Sequence, residues 1–259
     1  MKRLILRSIT ALLKSYGYDV VKLTHASLGA DDSVTRLAAH LQELLPLLGI
    51  ECVIDVGANE GQYYEFLRER VGFGGRIVSF EPIPELAQGL NRRAAFDSNW
   101  TVYDCAVGST EGIFPLKIAT RSGWSSLLQK STAEPTEVAN SIAVSRVIDV
   151  NVKRLDDILT TSEPAIDPAR TYLKIDSQGF DLEVLRGAER TLRSISALQT
   201  ELELLQLYAN TPSFVEVLEF LNTRHFQMTA AFPVWHDRTL RIGEMDAVFR
   251  NMSFSRRVS

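Results

Sequence analysis

The stretch that most constrains this chain is Glu51-Cys-Val-Ile-Asp-Val-Gly-Ala-Asn-Glu-Gly61. An apolar run from Cys52 to Val56, broken only by Asp55, stops at Gly57, and a helical pattern begins at Gly61. Apolar residues bounded by glycine predict a strand buried on both faces, as in a parallel sheet flanked by helices. Gly57 and Gly61 let the backbone turn sharply and approach a ligand closely, because no Cβ intervenes. The helix expected from Gly61 to Arg70 aims its first N–H groups at whatever lies above the strand end. This is the pattern of a nucleotide-type site at the carboxyl end of a strand; the alternative is a plain α/β turn without a ligand.

Spacing narrows the ligand. A phosphate-binding P-loop opens its helix with Gly-Lys-Ser/Thr, but Gly61 is followed by Gln62 and Tyr63. A dinucleotide fingerprint needs G-x-G-x-x-G, and here Asn59 and Gln62 occupy the second and third glycine positions. What remains is D-x-G-x-N-x-G and a second strand, Arg76-Ile-Val-Ser-Phe80, that ends in Glu81. A carboxylate at that point suits a ribose diol, since it accepts from both hydroxyls. Without glycines for a pyrophosphate, a mononucleoside such as S-adenosylmethionine fits better.

At 259 residues the chain is long enough for one α/β domain with a substantial core, and a net charge of −4 argues against a general nucleic-acid binder. Cys52 and Cys105 sit in apolar, strand-like runs and read as buried free thiols, with a disulfide between them as the alternative. No apolar run reaches the roughly 18–20 residues that span a bilayer. Residues 1–14 place Lys2 and Arg3 before apolar residues, as a signal peptide does, but Arg7 and Lys14 interrupt the run and no small-residue cleavage site follows. Leu4, Ile5, Ile9, Leu12 and Leu13 share a helical face there. That helix either packs on the domain or lies on a membrane surface as a peripheral contact. A cytoplasmic location is expected.

Taken in order, Asp31-Asp32-Ser33 offers cap chemistry ahead of a stripe of Val34, Leu37, Leu41, Leu44 and Leu45, so two helices are expected over residues 1–48. Leu86 to Ala95 reads as a helix and Trp100 to Gly108 as a third strand with its exit loop. The tip from Asp104 to Ala106 is placed beside the second strand's end, where an adenine would lie. From about 109 to 170 the pattern changes to a two-stranded insertion, Ile113–Ile118 and Val147–Val152, with a loop over Arg121–Leu127 and a polar stretch over Lys130–Ser141. Thr171-Tyr-Leu-Lys-Ile-Asp-Ser-Gln-Gly179 repeats the opening logic, with Asp176 ending a strand before a helix over Asp181–Leu192. A strand over Ala197–Glu203, a helix from Pro212 to Thr223, and an antiparallel hairpin finish one domain over 49–252, with 253–259 as a tail.

Asp55-Val-Gly-Ala-Asn-Glu-Gly61, Phe80-Glu-Pro82 and, most specifically, Leu173-Lys-Ile-Asp-Ser-Gln-Gly-Phe-Asp-Leu-Glu-Val-Leu-Arg-Gly-Ala188 resemble the FkbM family of S-adenosylmethionine-dependent methyltransferases. The similarity runs from about Glu51 to Arg250 and includes Ser125-Ser126-Leu127 and Arg154–Asp157. Ser177 and Phe180 depart from the family's commoner residues. The resemblance implies a class I methyltransferase fold, a Rossmann-like, mostly parallel seven-stranded sheet with helices on both faces and its last strand antiparallel. It also implies methyl transfer to a hydroxyl of a sugar, glycan or natural product. Carried over by position, Asp55, Gly57, Asn59 and Gly61 line the methionine and ribose end of the cofactor, Glu81 holds the ribose hydroxyls, and Asp104 with Ala106 edges the adenine.

An alcohol is a poor nucleophile near neutral pH, so a base or a divalent metal should assist the transfer. Asp176 is the first choice of base, because the fourth strand's end faces the methyl group in this architecture; capping the following turn is the alternative. Glu203 ends the next strand as a second acid or, with Asp176, a divalent-metal ligand, against the equal reading of a solvated or helix-capping carboxylate; no metal-type cysteine cluster exists. Lys174 stands two residues before Asp176 and either keeps it ionised or forms a structural ion pair. His236, expected in a late loop that roofs the pocket, is a further acid–base candidate against the reading of a surface histidine beside Asp237. Trp124, Ser125 and Ser126 either stack on and hydrogen-bond a sugar ring or pack the insertion. Two rival functions remain at this point: a cofactor-binding module without catalysis, and a nicotinamide-dependent oxidoreductase.

Overall fold

The computed structural model describes residues 30–130, 143–162 and 164–253. The amphipathic helix expected over 1–14 and the polar stretch 131–142 lie outside the described residues. A seven-stranded sheet forms the core of the rest. Its parallel strands are β1 (Cys52–Val56), β2 (Arg76–Phe80), β3 (Trp100–Tyr103), β8 (Thr171–Ile175) and β9 (Ala197–Glu203). The order across the sheet is β11-β12-β9-β8-β1-β2-β3, where β11 (Phe226–His236) and β12 (Ile242–Asn251) form the hairpin and β12 runs antiparallel to β9. This is the mixed sheet that the FkbM resemblance implies, including the antiparallel last strand.

Both faces of the sheet are covered, which is why β1 reads as apolar but for Asp55: all five of its residues are buried. Successive residues point to opposite sides. Ile54, Val56, Leu173 and Ile175 pack against α5 (Asp181–Arg186), α6 (Glu189–Leu192) and α7 (Phe214–Asn222). Val53, Ile77 and Tyr172 face α1 (Ala30–Leu48) and α3 (Pro84–Ala94), with Leu37, Leu41, Leu44 and Leu45 supplying the α1 stripe. Asp31, Asp32 and Ser33 lie inside α1 rather than ahead of it. The helix after β1 starts as α2 (Gln62–Glu65) and widens into a π-helix over Phe66–Val71, where a continuous α-helix was expected. Such widened turns recur at functional sites, and Phe66 at its start lines the cleft described below.

The helix expected over 181–192 is also broken. A Cβ on Gly187 would stand 2.0 Å from the Gly108 carbonyl oxygen, so the chain can pass the insertion only at a glycine. The Asp156 carboxylate, from α4 (Leu155–Thr160), then accepts from the backbone N–H of Arg190 and Thr191 and caps α6. The insertion itself is larger than the two strands expected. β5 (Gly112–Ala119) and β7 (Val144–Lys153) do pair antiparallel, but β4 (Ala106–Val107) adds a third strand parallel to β7. A further short pair joins β6 (Gln129–Lys130) to β10 (Tyr208–Ala209). Two-residue strands carry no periodicity, so neither was visible in the sequence.

Candidate functional site

The carboxyl ends of β1, β2, β8 and β9 open into a cleft of about 450 Å³, within the range of small-molecule sites. Its glycine turn is built by the backbone. The N–H groups of Gly57 and Ala58 both donate to the Phe80 carbonyl, at 3.1 and 3.0 Å, which fixes the exit of β1 against that of β2. Gly57 has a φ of 83°, and a Cβ there would lie 1.9 Å from the Asp176 carbonyl oxygen. Glycine is therefore demanded by the neighbouring β8 exit as well as by the turn.

Glu81, only 3% exposed, lies at the floor of this end. Its two carboxylate oxygens each accept one backbone N–H, from Asn59 at 2.7 Å and from Ile83 at 2.8 Å. Each oxygen keeps a lone pair for a further donor. Burial pushes its pKa up to about 7 against the pull of those two N–H groups. Asn59 lines the same end, and its Oδ1 is buried with no hydrogen-bond partner in the structure. A ligand bearing hydroxyl and amino donors would satisfy both residues. A pyrophosphate would meet the Glu81, Asp176, Glu201 and Asp246 carboxyl groups instead.

Lys174, the cation on this floor, is already committed. Its Nζ lies 3.0 Å from Asp55 Oδ1 and 3.5 Å from Asp176 Oδ2, and it also donates to the Gly57 carbonyl. Burial alone would depress the Lys174 ammonium, but Asp55 foremost and then Asp176 hold it protonated. Asp55 does not line the cleft: it is fully buried beneath it, accepting from Lys174 and, at 3.3 Å, from Ser79 Oγ. Asp55 and Lys174 are register partners on β1 and β8, so they brace the two strands that carry the site.

Asp176 lies at the mouth of the cleft with its side chain one-third exposed. Gln178 Nε2 donates both to Asp176 Oδ1 at 2.9 Å and to Glu201 Oε2 at 3.0 Å, holding two carboxyl groups side by side. Asp246 stands directly opposite Glu201 across β9 and β12. Burial raises the pKa of Glu201 strongly and pushes that of Asp246 up to about 6. Gln178, Glu201 and Asp246 went unread in the sequence. The signal that could have found Glu201 is strand alternation, since it shares a strand face with Glu203 two residues on.

The remaining expected site residues divide. Asn59, Glu81, Gly57, Ala106, Ser125, Ser126, Lys174 and Asp176 come together around the cleft. Ser125 and Ser126 spend their hydroxyls on backbone: Ser125 Oγ accepts from Ala119 N, and Ser126 Oγ donates to the Gln178 carbonyl. Asp55, Gly61, Asp104, Trp124, Glu203 and His236 are not among the lining residues. Gly61 faces Leu90 and Arg93, Asp104 is exposed, and Trp124 packs near Leu207 and Tyr208. Glu203 is covered by the Gly179 turn, accepts from Leu207 N, and leaves Oε1 without a partner. His236 ends strand β11 instead of roofing the pocket from a loop, because the β11–β12 hairpin extends farther than its apolar residues indicate. Among the described residues no three His, Cys, Asp or Glu side chains converge as metal ligands.

Comparison with known proteins agrees with the resemblance read from the motifs. Residues 55–228 match the model of the Methyltransferase FkbM domain. "Methyltransferase sdnD" of Sordaria araneosa is 27% identical over 169 residues, covering 58% of this chain and 65% of that protein, just under two thirds of its length. Among solved structures, Methyltransferase FkbM from Methylobacillus flagellatus KT aligns over 78% of this chain and 44% of its own, at 20% identity and a TM-score of 0.47. Aeropyrum pernix fibrillarin, in complex with natively bound S-adenosyl-L-methionine, aligns over 84% and 76% at 11% identity and a TM-score of 0.43. With most of its sheet and its glycine turn inside the matched stretch, this chain belongs to the FkbM family of methyltransferases.

Proposed function

We propose that the protein transfers a methyl group from S-adenosylmethionine to a hydroxyl of a sugar, glycan or natural-product acceptor. The observation that carries this reading is the pairing, in one cleft, of Glu81 with two spare lone pairs and Asn59 Oδ1 with no partner, facing Asp176 at the end of β8. Glu81 accepts from the two ribose hydroxyls, and Asn59 Oδ1 accepts from a donor on the amino-acid end. When bound, the cofactor supplies an electrophilic methyl group on a sulfonium centre. The lining carboxyl groups favour that cation over a diphosphate, which speaks against a nicotinamide cofactor.

Asp176 accepts the proton of the acceptor hydroxyl, while Gln178 and Lys174 keep its carboxylate oriented. Burial pushes the Glu201 carboxyl up, and Gln178 bridges it to Asp176, so it lines the acceptor's side of the cleft. Both cysteines are buried free thiols, which suits a reducing, cytoplasmic setting. Calorimetry should find S-adenosylhomocysteine binding far more tightly than NAD. Labelled methyl donor screened against glycan and lipid-linked sugar fractions should then find an acceptor. Asp176→Asn is expected to keep cofactor affinity and lose about 100-fold or more in turnover. Tighter binding of NAD would overturn the cofactor assignment, and full activity in the variant would remove Asp176 from the chemistry.

A further inference from the structure

The cleft continues past the cofactor end. Glu81 lies at the end of β2, on one side of β1, whereas Glu201 and Asp246 belong to β9 and β12, beyond β8 on the other side. This second lobe has an apolar wall of Val34 and Leu37 from α1, Tyr63 from α2, Phe66 from the π-helix, and Val234 from β11. The Tyr63 hydroxyl is turned away from a ligand's needs, because it donates to Gln199 Oε1 at 2.9 Å and leaves the wall its ring carbons. The Tyr63 and Phe66 rings lie side by side, 5.5 Å between centroids. The floor that the Tyr63 hydroxyl reaches is polar: Gln199 donates to Asp246 Oδ1 at 2.8 Å, and Glu201 adjoins it.

Such a lobe is two-sided. A free sugar carries hydroxyls around its ring, and those against Val34, Leu37 and Phe66 would lose water without gaining a partner, a net cost. An aliphatic or polycyclic skeleton loses nothing there and gains by leaving water. Val34, Leu37, Val234 and Asp246 also lie outside residues 55–228, the stretch that matches the family domain. The wall is thus built largely by segments flanking that domain, whereas Glu81, Asn59 and Asp176 lie inside it.

We propose that the acceptor is an amphiphile, a hydrophobic skeleton bearing its reactive hydroxyl at a polar end, selected by the apolar wall that α1 and β11 add to the second lobe. The inference rests on the methyl-transfer reading and names the substrate class for it. The test uses the full chain saturated with S-adenosylhomocysteine, titrated calorimetrically with n-octyl glucoside below its micellar range and with methyl glucoside. The octyl compound should bind at least about tenfold more tightly, from its added methylenes. Val34→Asn and the isosteric Val234→Thr should each weaken the octyl probe about three- to tenfold, with S-adenosylhomocysteine affinity unchanged. Equal affinity for the two glucosides would overturn the proposal, as would octyl affinity unmoved in both variants. Failure of the wild-type protein to bind S-adenosylhomocysteine would instead overturn the methyl-transfer reading, and the proposal with it.

Discussion

Lys174→Met tests the brace under the site. The ammonium lies 3.0 Å from Asp55 Oδ1, with the lysine side chain 6% exposed and the aspartate 0%. Removing the cation leaves the Asp55 carboxylate in the sheet interior with Ser79 Oγ as a neutral donor at 3.3 Å. Breaking a buried pair on one side costs about 3–5 kcal/mol, because the remaining charge is uncompensated. For a chain of this size each kcal/mol moves the melting temperature by about 2–4 °C, so the variant should melt about 6–20 °C lower. Thermal unfolding followed by circular dichroism, with urea midpoints alongside, measures this. The Asp55→Asn/Lys174→Met double variant removes the stranded charge and should recover part of the loss. A melting temperature within about 2 °C of wild type, or a double variant as unstable as the two single losses added, would refute the brace.

Other outcomes follow from the same geometry. Because the Glu81 carboxyl is pushed up to about 7 and a ribose diol needs its ionised form as acceptor, S-adenosylhomocysteine affinity should rise with pH through about 7, by up to tenfold per unit below it. Glu81→Gln should weaken binding and flatten that profile, and titrations between about pH 6 and 8 that show no slope in wild type would contradict the assignment. Gly57→Ala combines a φ of 83° with a Cβ 1.9 Å from the Asp176 carbonyl; a loss above about 3 kcal/mol is expected, read from the urea midpoint. Glu203 and Glu244 face each other across β9 and β12, and burial, reinforced for Glu244 by Glu203, raises them to about 7 and about 8. Folded carboxyl groups with raised pKa values bind more protons than unfolded ones, so their contribution to stability is lost as pH climbs from the unfolded value towards about 8. Glu244→Gln removes one of these two facing carboxyl groups and with it their mutual repulsion when ionised. That variant should therefore be about 1–2 kcal/mol more stable than wild type at pH 8 and gain nothing at pH 5.

What the sequence determined by itself is whatever chain-local physics encodes. The run Cys52–Val56 could only be a strand covered on both faces, and the missing glycines at 59 and 62 excluded a pyrophosphate cradle without reference to any contact. The helix from Pro212 was legible in the same way, and the structure shows a capping box between Ser213 and Glu216 at its start. Tertiary structure decided everything that depends on what stands across a strand or behind a turn. Asp55 looked like a cofactor ligand until its register partner on β8 proved to be Lys174, 119 residues away, which draws it under the site. Glu203 and Glu201 are equivalent in pattern, and only the fold of the Gly179 turn over the one leaves the other in the cleft. The wall from Val34, Leu37 and Val234 draws on segments nearly 200 residues apart, and apolar residues there read from sequence as ordinary core. Strand order and register bring such residues together, and no window of local sequence carries that information.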